Sequence, residues 1–159
     1  MNKRKIIKGL LIVSAIAIVI GGAVAFYMYN MPHRDIQHTA TDYSLQASDI
    51  VAEYLANNTV ANEKYLDAEG ESKVLEISGT VAKIEQDFEN NKVILLKSES
   101  DLAGVSCTFL PDQNSKIDVL NLGQKITIKG VIRSGADFDE DLDMYENVIV
   151  DQSTLISVQ

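Results

Sequence analysis

The sequence predicts a mainly β protein of α+β content: a five-stranded barrel preceded by two short helices and an N-terminal transmembrane helix. Three observations carry that reading. An uncharged apolar run covers Gly9–Tyr29, the hydrophobic period changes from helical to two beyond Glu69-Gly70-Glu71-Ser72, and the first long strand shifts its inward set near Ala82.

The apolar run comes first. Its 21 residues, at roughly 1.5 Å each, make a helix of about 31 Å, close to the ~30 Å hydrocarbon thickness of a bilayer. Lys3, Arg4, Lys5 and Lys8 precede it and Phe26, Tyr27 and Tyr29 crowd its far end. The positive-inside rule and the interfacial preference of aromatic rings then predict a single-pass signal-anchor with a cytoplasmic N-terminus and an extracytoplasmic body, periplasmic or on the cell surface of a bacterial envelope. The competing reading is a cleaved signal peptide, with Leu10–Ile20 as its apolar region, Gly21-Gly22 as a break and Ala23-Val24-Ala25 as the cleavage site. Cys107 is the sole cysteine and lies far from that site, which excludes a lipoprotein.

The expected organisation is therefore a basic cytoplasmic segment at 1–8, a transmembrane helix or signal sequence at 9–29, a juxtamembrane linker at 30–45 and an extracytoplasmic domain at 46–158. Four of the 14 Lys and Arg lie at or before Lys8, which leaves ten against 23 Asp and Glu, a net of −13 for the exported part. Such a field repels phosphate and anionic lipid and favours cationic partners.

From Asn30 to Thr41 the chain is polar, carries Pro32 and keeps no period, as a tether would. His33 and His38 fall here, and two histidines alone make no structural zinc centre, which wants four ligands. Ile50, Val51, Tyr54 and Leu55 then place an apolar stripe on a helix starting near Gln46–Ser48 and ending at Asn57-Asn58. A second short helix is expected over Val60–Leu66, with Asn58 or Thr59 as its N-cap and Tyr65 and Leu66 turned inward. Asn57-Asn58-Thr59 also fits a glycosylation acceptor, which matters only in a eukaryotic secretory pathway.

In the first long strand Leu75, Ile77, Gly79 and Val81 share one face and Glu76, Ser78 and Thr80 the other. The inward set then moves to Ile84, so a bulge is expected near Ala82-Lys83, with Gly79 easing the bend. Asp87–Asn91 reads as a hairpin turn into a second strand, Lys92–Lys97. After the loop Ser98–Gly104, a third strand, Val105–Leu110, stops at Pro111; its alternation buries Cys107 as an inert thiol, and one cysteine closes no intrachain disulfide. Lys116–Leu122 is a short helical or irregular bridge, and Gly123 opens a fourth strand. There Ile126, Ile128, Gly130 and Ile132 face in, while Lys125, Thr127, Lys129 and Arg133 form a solvated face. An acidic, mobile loop, Gly135–Glu146, leads to the last strand, Asn147–Ser157.

Five strands, a long bent first one, a bridge between the third and fourth and a barrel closure are the parts of an OB-fold. The stretch from Tyr54 through Asn62, Tyr65, Val74–Val81 and Val105–Phe109, with Leu122–Gly130 as a fourth-strand signature, resembles the tRNA_anti-like family of OB-fold domains over about residues 50–158. The resemblance implies an N-terminal anchor or export signal ahead of a helical segment and the barrel, a layout that Pro32-His33-Arg34 after the apolar run fits. It implies no catalytic residue: Gly79 and Gly130 match family glycines with structural explanations. The long acidic loop after Arg133 departs from the family pattern.

Function is less legible. An OB-fold that holds nucleic acid presents stacking aromatics in a basic groove; here one rim loop is Asp87-Phe88-Glu89-Asn90-Asn91 and the other carries Asp137, Asp139, Glu140, Asp141, Asp143 and Glu146, which argues against RNA or DNA. Alternating Asp137, Asp139, Asp141 and Asp143 raise weak divalent-cation binding, yet Leu142 and Val148 occupy the glycine and glutamate positions of an EF-hand loop. The barrel carries no histidine base, nucleophile turn, phosphate loop or His/Cys metal cluster. The expectation is thus no enzyme, with no catalytic, cofactor or metal residue assigned: a membrane-anchored OB-fold binding module with an envelope protein as partner. A secreted or periplasmic binder of a cation or small solute, released by signal cleavage, is the alternative.

Overall fold

The computed structural model describes residues 3–30, 35–66 and 72–159, with side chains from Val13 onward. The expectations on Lys3, Arg4, Lys5, Lys8 and Leu10 therefore fall partly, and those on Pro32, His33, Arg34 and Glu69-Gly70-Glu71 wholly, outside the described residues. The chain divides into two compact units, Met1–Arg34 and Asp35–Gln159.

The first unit is helix α1, Lys3–Tyr29. It passes through Gly21 and Gly22 without a break. Its end is capped by Asn30, whose backbone N and Nδ2 both donate to the Phe26 carbonyl, at 3.1 and 2.8 Å. Val13, Ile16, Ile18, Val19, Ile20, Val24 and the aromatics Phe26, Tyr27 and Tyr29 are all exposed. Among the described residues no helix is long and apolar enough to cross a membrane.

In the second unit the strands close as a barrel of mixed direction. Strand β2, Val74–Gln86, is long enough to serve both halves. Its first half pairs antiparallel with β5, Lys125–Ser134, and its second half with β3, Lys92–Leu96. The pairing with β3 slips between Val81 and Lys83, where the sequence places a bulge. Strand β4, Val105–Phe109, joins β3 antiparallel and β8, Val148–Val158, parallel; β8 returns antiparallel to β5. The circuit β2-β3-β4-β8-β5 closes on itself. Leu75, Ile77, Ile94, Leu96, Cys107, Phe109, Ile126, Ile128 and Ile132 fill it.

A sixth strand enters from the expected linker. Tyr43–Gln46 form β1, parallel to β2 with Tyr43 opposite Leu75 and Gln46 opposite Ser78. It continues the edge of β2 that β3 occupies further on. The turn before it is ordered too: Ile36 is buried, and the His38 ring nitrogen Nδ1 lies 2.7 Å from Asp35 Oδ2. A featureless tether up to residue 45 is therefore corrected from Asp35 onward.

Helices α2, Ala47–Ala56, and α3, Asn58–Tyr65, pack Ile50, Val51, Tyr54, Ala61 and Tyr65 into the same core. The expected inward stripe holds, with Leu55 and Leu66 only partly covered. The N-cap of α3 is Asn57, one residue earlier than expected, and its side chain accepts from Val60 N at 3.1 Å. Asn58 is spent elsewhere: its Nδ2 donates to the Ala136 carbonyl at 3.2 Å. The bridge between β4 and β5 also begins earlier, as a 3-10 turn at Pro111–Gln113 running into α4, Asn114–Ile117. Pro111 explains the shift, since its fixed φ suits the first position of a helical turn.

Two further expectations are corrected. The acidic loop is not irregular: Asp137–Asp139 and Met144–Glu146 are strands β6 and β7 of a separate antiparallel ribbon. Lys129 does not belong to a solvated face. It is buried, and its Nζ donates to the carbonyls of Gln37 and Thr39, at 3.3 and 2.5 Å.

Candidate functional site

The outer face of β3 and β4, where an OB-fold stacks bases, carries Val93, Leu95, Ser106 and Thr108. None is aromatic or basic. The loop at its end is fixed by Asp87, whose Oδ1 accepts from the backbone N of Glu89 and of Asn91, both at 2.8 Å. The hydrogen bond from the Asn91 side chain leads in holding the Asp87 carboxyl below its usual range. Phe88 stands fully exposed at this loop.

The groups capable of chemistry are dispersed. Cys107 is sealed in the core, and burial pushes its thiol far up from the ordinary value. His38 faces Asp35 at the surface, and that hydrogen bond holds the Asp35 carboxyl low. Arg133 Nη1 donates to Asp151 Oδ2 at 3.3 Å. Among the described residues no three of His, Cys, Asp and Glu gather as a metal-holding group.

A cluster that the sequence reading missed joins helices α2 and α3. Lys64 Nζ donates to both Glu53 oxygens, at 2.9 and 2.7 Å, and Tyr65 Oη donates to Glu53 Oε2 at 2.8 Å. The ammonium also lies 4.8 Å from the Tyr65 ring centroid and 5.5 Å from that of Tyr43. The Glu53 hydrogen bonds lead in raising the Lys64 pKa; burial acts to raise the Glu53 carboxyl, but the hydrogen bonds from Lys64 and Tyr65 and the charge of Lys64 together outweigh it and hold the carboxyl low. A lysine held charged is no nucleophile, so this cluster fastens α2, α3 and β1 together. Its signal was Glu53 and Lys64 on successive helices, a spacing that becomes a contact only once α2 and α3 fold back on each other.

The feature left without a structural explanation is the β6–β7 ribbon. It is rooted firmly. Ala136 is buried, and a Cβ added at Gly135 would sit 2.0 Å from the Tyr54 ring, so the backbone lies close against that ring. At its tip Asp139 Oδ1 accepts from the backbone N of Asp141 and Leu142, at 2.8 and 3.0 Å, and Asp143 takes a positive φ of 51°. Of the alternating aspartates, Asp137 and Asp139 thus share one strand face while Asp141 and Asp143 turn at the tip. Phe138 pairs with Tyr145 across the ribbon, ring centroids 4.9 Å apart.

Barrel order, parallel β4–β8 pairing and the helical segment between β4 and β5 together define an OB-fold. The tRNA_anti-like family profile matches residues 1–139, and the chain belongs to that family. The match takes in the N-terminal helix, beyond the stretch from residue 50 on which the resemblance rests, and ends at Asp139 inside the ribbon. No curated protein matches the chain. Among solved structures, the crystal structure of yeast Stn1 and Ten1 is similar at 15% identity and a TM-score of 0.35, over 77% of this chain and 66% of that one, just under two thirds of its length.

Proposed function

We propose that this protein is a membrane-tethered, extracytoplasmic binding module that performs no catalysis. The observation that carries the tether is the uniform apolar exposure of α1 from Val13 to Tyr29. A helix hydrophobic all round belongs in an apolar medium, and the four preceding residues Gly9–Ile12 extend the run to a bilayer's thickness. Lys3, Arg4, Lys5 and Lys8 favour the cytoplasmic side for the N-terminus, which leaves the acidic barrel outside. The non-catalytic reading rests on a sealed Cys107, a His38 engaged with Asp35 and a Lys64 held charged by Glu53. Nucleic acid is disfavoured as ligand by the net of −13 and by the Val93, Leu95, Ser106 and Thr108 face.

Membrane fractionation with an alkaline carbonate wash tests the tether. The intact chain is expected in the washed membrane pellet, and protease added to cells with opened envelopes is expected to remove the barrel. Recovery of a soluble protein beginning at Phe26 would replace the tether by signal cleavage.

A further inference from the structure

The β6–β7 ribbon concentrates two features that a folded protein ordinarily separates. Its register places Asp137 directly opposite Glu146 and Asp139 opposite Met144, so one face presents three carboxylates and a methionine. Like charges directly opposite one another on paired strands destabilise the pairing. Among the described residues no Lys or Arg forms an ion pair with any of the three. The other face presents Phe138 and Tyr145, 40% and 36% exposed. Leu142 at the tip and Met144 on the carboxylate face are also exposed, at 66% and 52%. The ribbon is two-stranded, so β7 pairs with β6 on one edge and has no strand partner on the other.

We propose that the open edge of β7 is a docking surface for a cationic strand of a partner protein, an extended segment in which Lys or Arg alternates with apolar residues. The argument is one of charge and period. A strand added beside Met144–Glu146 would gain backbone hydrogen bonds, and its side chains would alternate between the two faces of the ribbon. Cationic residues on one face would lie beside Glu146 and reach over β7 toward Asp137 and Asp139, about two strand spacings away, relieving their repulsion. Apolar residues on the other would pack on Tyr145, whose ring meets that of Phe138. The anchoring of Gly135 on Tyr54 and of the Ala136 carbonyl on Asn58 holds the ribbon ready, so little ordering is left for binding to supply. This proposal rests on the binding-module reading and gives that module its surface and partner chemistry.

The test uses the full chain in detergent micelles and fluorescence anisotropy of a labelled eight-residue peptide of alternating Lys and Val. Saturable binding is expected, weakening as salt rises. In D137N/E146Q it is expected to weaken at least about tenfold, the lower end of what close interfacial charge pairs contribute. The charge-matched control E63Q/E99Q, at exposed residues outside the ribbon strands, is expected to bind as the unaltered protein does. A peptide with the same composition in two blocks, four Lys then four Val, is expected to bind several-fold more weakly, because its period does not match the ribbon's faces. Equal losses in the two variants, equal affinity for the two peptides, or no binding of the alternating peptide would each overturn the proposal. Removing the like-charge pair is expected to leave the melting temperature unchanged or raised, so a lost affinity is not a lost fold. Carbonate fractionation reads the tether separately: a protein retained in membranes that binds no peptide rejects the docking surface alone.

Discussion

Glu76 and Lys129 face each other across the β2–β5 pair, and both reach for the same neighbouring segment instead of forming an ion pair. Glu76 accepts from Thr41 Oγ1 at 2.8 Å and, at 3.4 Å, from Ser44 Oγ, while Lys129 Nζ donates to the Gln37 and Thr39 carbonyls. Two charged side chains on the barrel wall thus hold residues 37–44 in place and deliver β1 to the edge of β2. A buried ammonium needs such partners, since desolvation without them is costly.

Substituting Lys129→Met removes the donor and keeps most of the volume. The expected cost is about 1–3 kcal/mol, the scale of hydrogen bonds to a charged group. The variant is also expected to be cut by protease between Asp35 and Asp42, where the unaltered protein resists. Urea denaturation and limited proteolysis check this, and an unchanged midpoint with an unchanged cleavage pattern would show that the segment holds without Lys129.

The elements that the sequence reveals are those whose signals are local. The inward shift from Val81 to Ile84 marks the bulge because strand period is read over a few residues, and Ile126, Ile128 and Ile132 are buried as their alternation requires. Strand β1 hides because its four residues follow a polar stretch and their partner is a parallel strand beyond two helices. The same alternation assigns Lys129 to the solvated set with Lys125, and only the folding back of residues 37–39 buries it. In the ribbon, acidic residues of poor strand propensity conceal a pairing whose signal was Phe138 and Tyr145, joined across the turn. The candidate surface was therefore legible as composition and illegible as geometry.

The contact between Gly135 and Tyr54 offers a sharper test of how the ribbon is rooted. Gly135 has no positive φ, so alanine meets no backbone objection there; its Cβ meets the buried ring instead. Gly135→Ala is expected to destabilise by about 3 kcal/mol, the upper part of the overpacking range. In a Tyr54→Ala background the same change is expected to cost less than about 1 kcal/mol, because the obstructing ring is gone. A double-mutant cycle by denaturation measures the coupling, and an equal cost in both backgrounds would mean that the ring moves aside freely.

The cap of α3 separates three adjacent residues. Asn57→Ala removes the acceptor for Val60 N and is expected to cost about 1 kcal/mol. Thr59→Ala, inside the helix, is expected to be near neutral. Thermal melts of both decide the point, and a Thr59 variant as damaged as the Asn57 variant would return the cap to Thr59, one of the two positions that the sequence offered.

The core makes stability fall at alkaline pH, and Cys107 sets where the fall begins. Its thiol ionises near 9.0 when exposed, while burial raises the folded value well above that. Between those values the unfolded chain releases a proton that the folded chain keeps. The contribution is thus fully present below about pH 9.0 and is lost as pH rises from there. Tyr54 adds a second loss in the same direction from its ordinary value of 10.0, because burial pushes its hydroxyl to about 12. Urea midpoints measured from pH 7 to 11 are expected to be level at first and then to decline, with Cys107→Ala delaying the onset by about one pH unit, to where Tyr54 begins to ionise in the unfolded chain. The unaltered thiol is also expected to resist a maleimide reagent until urea unfolds the barrel. Rapid labelling of the native protein, or an alkaline decline with the same onset in the alanine variant, would show that Cys107 is not sealed as this packing requires.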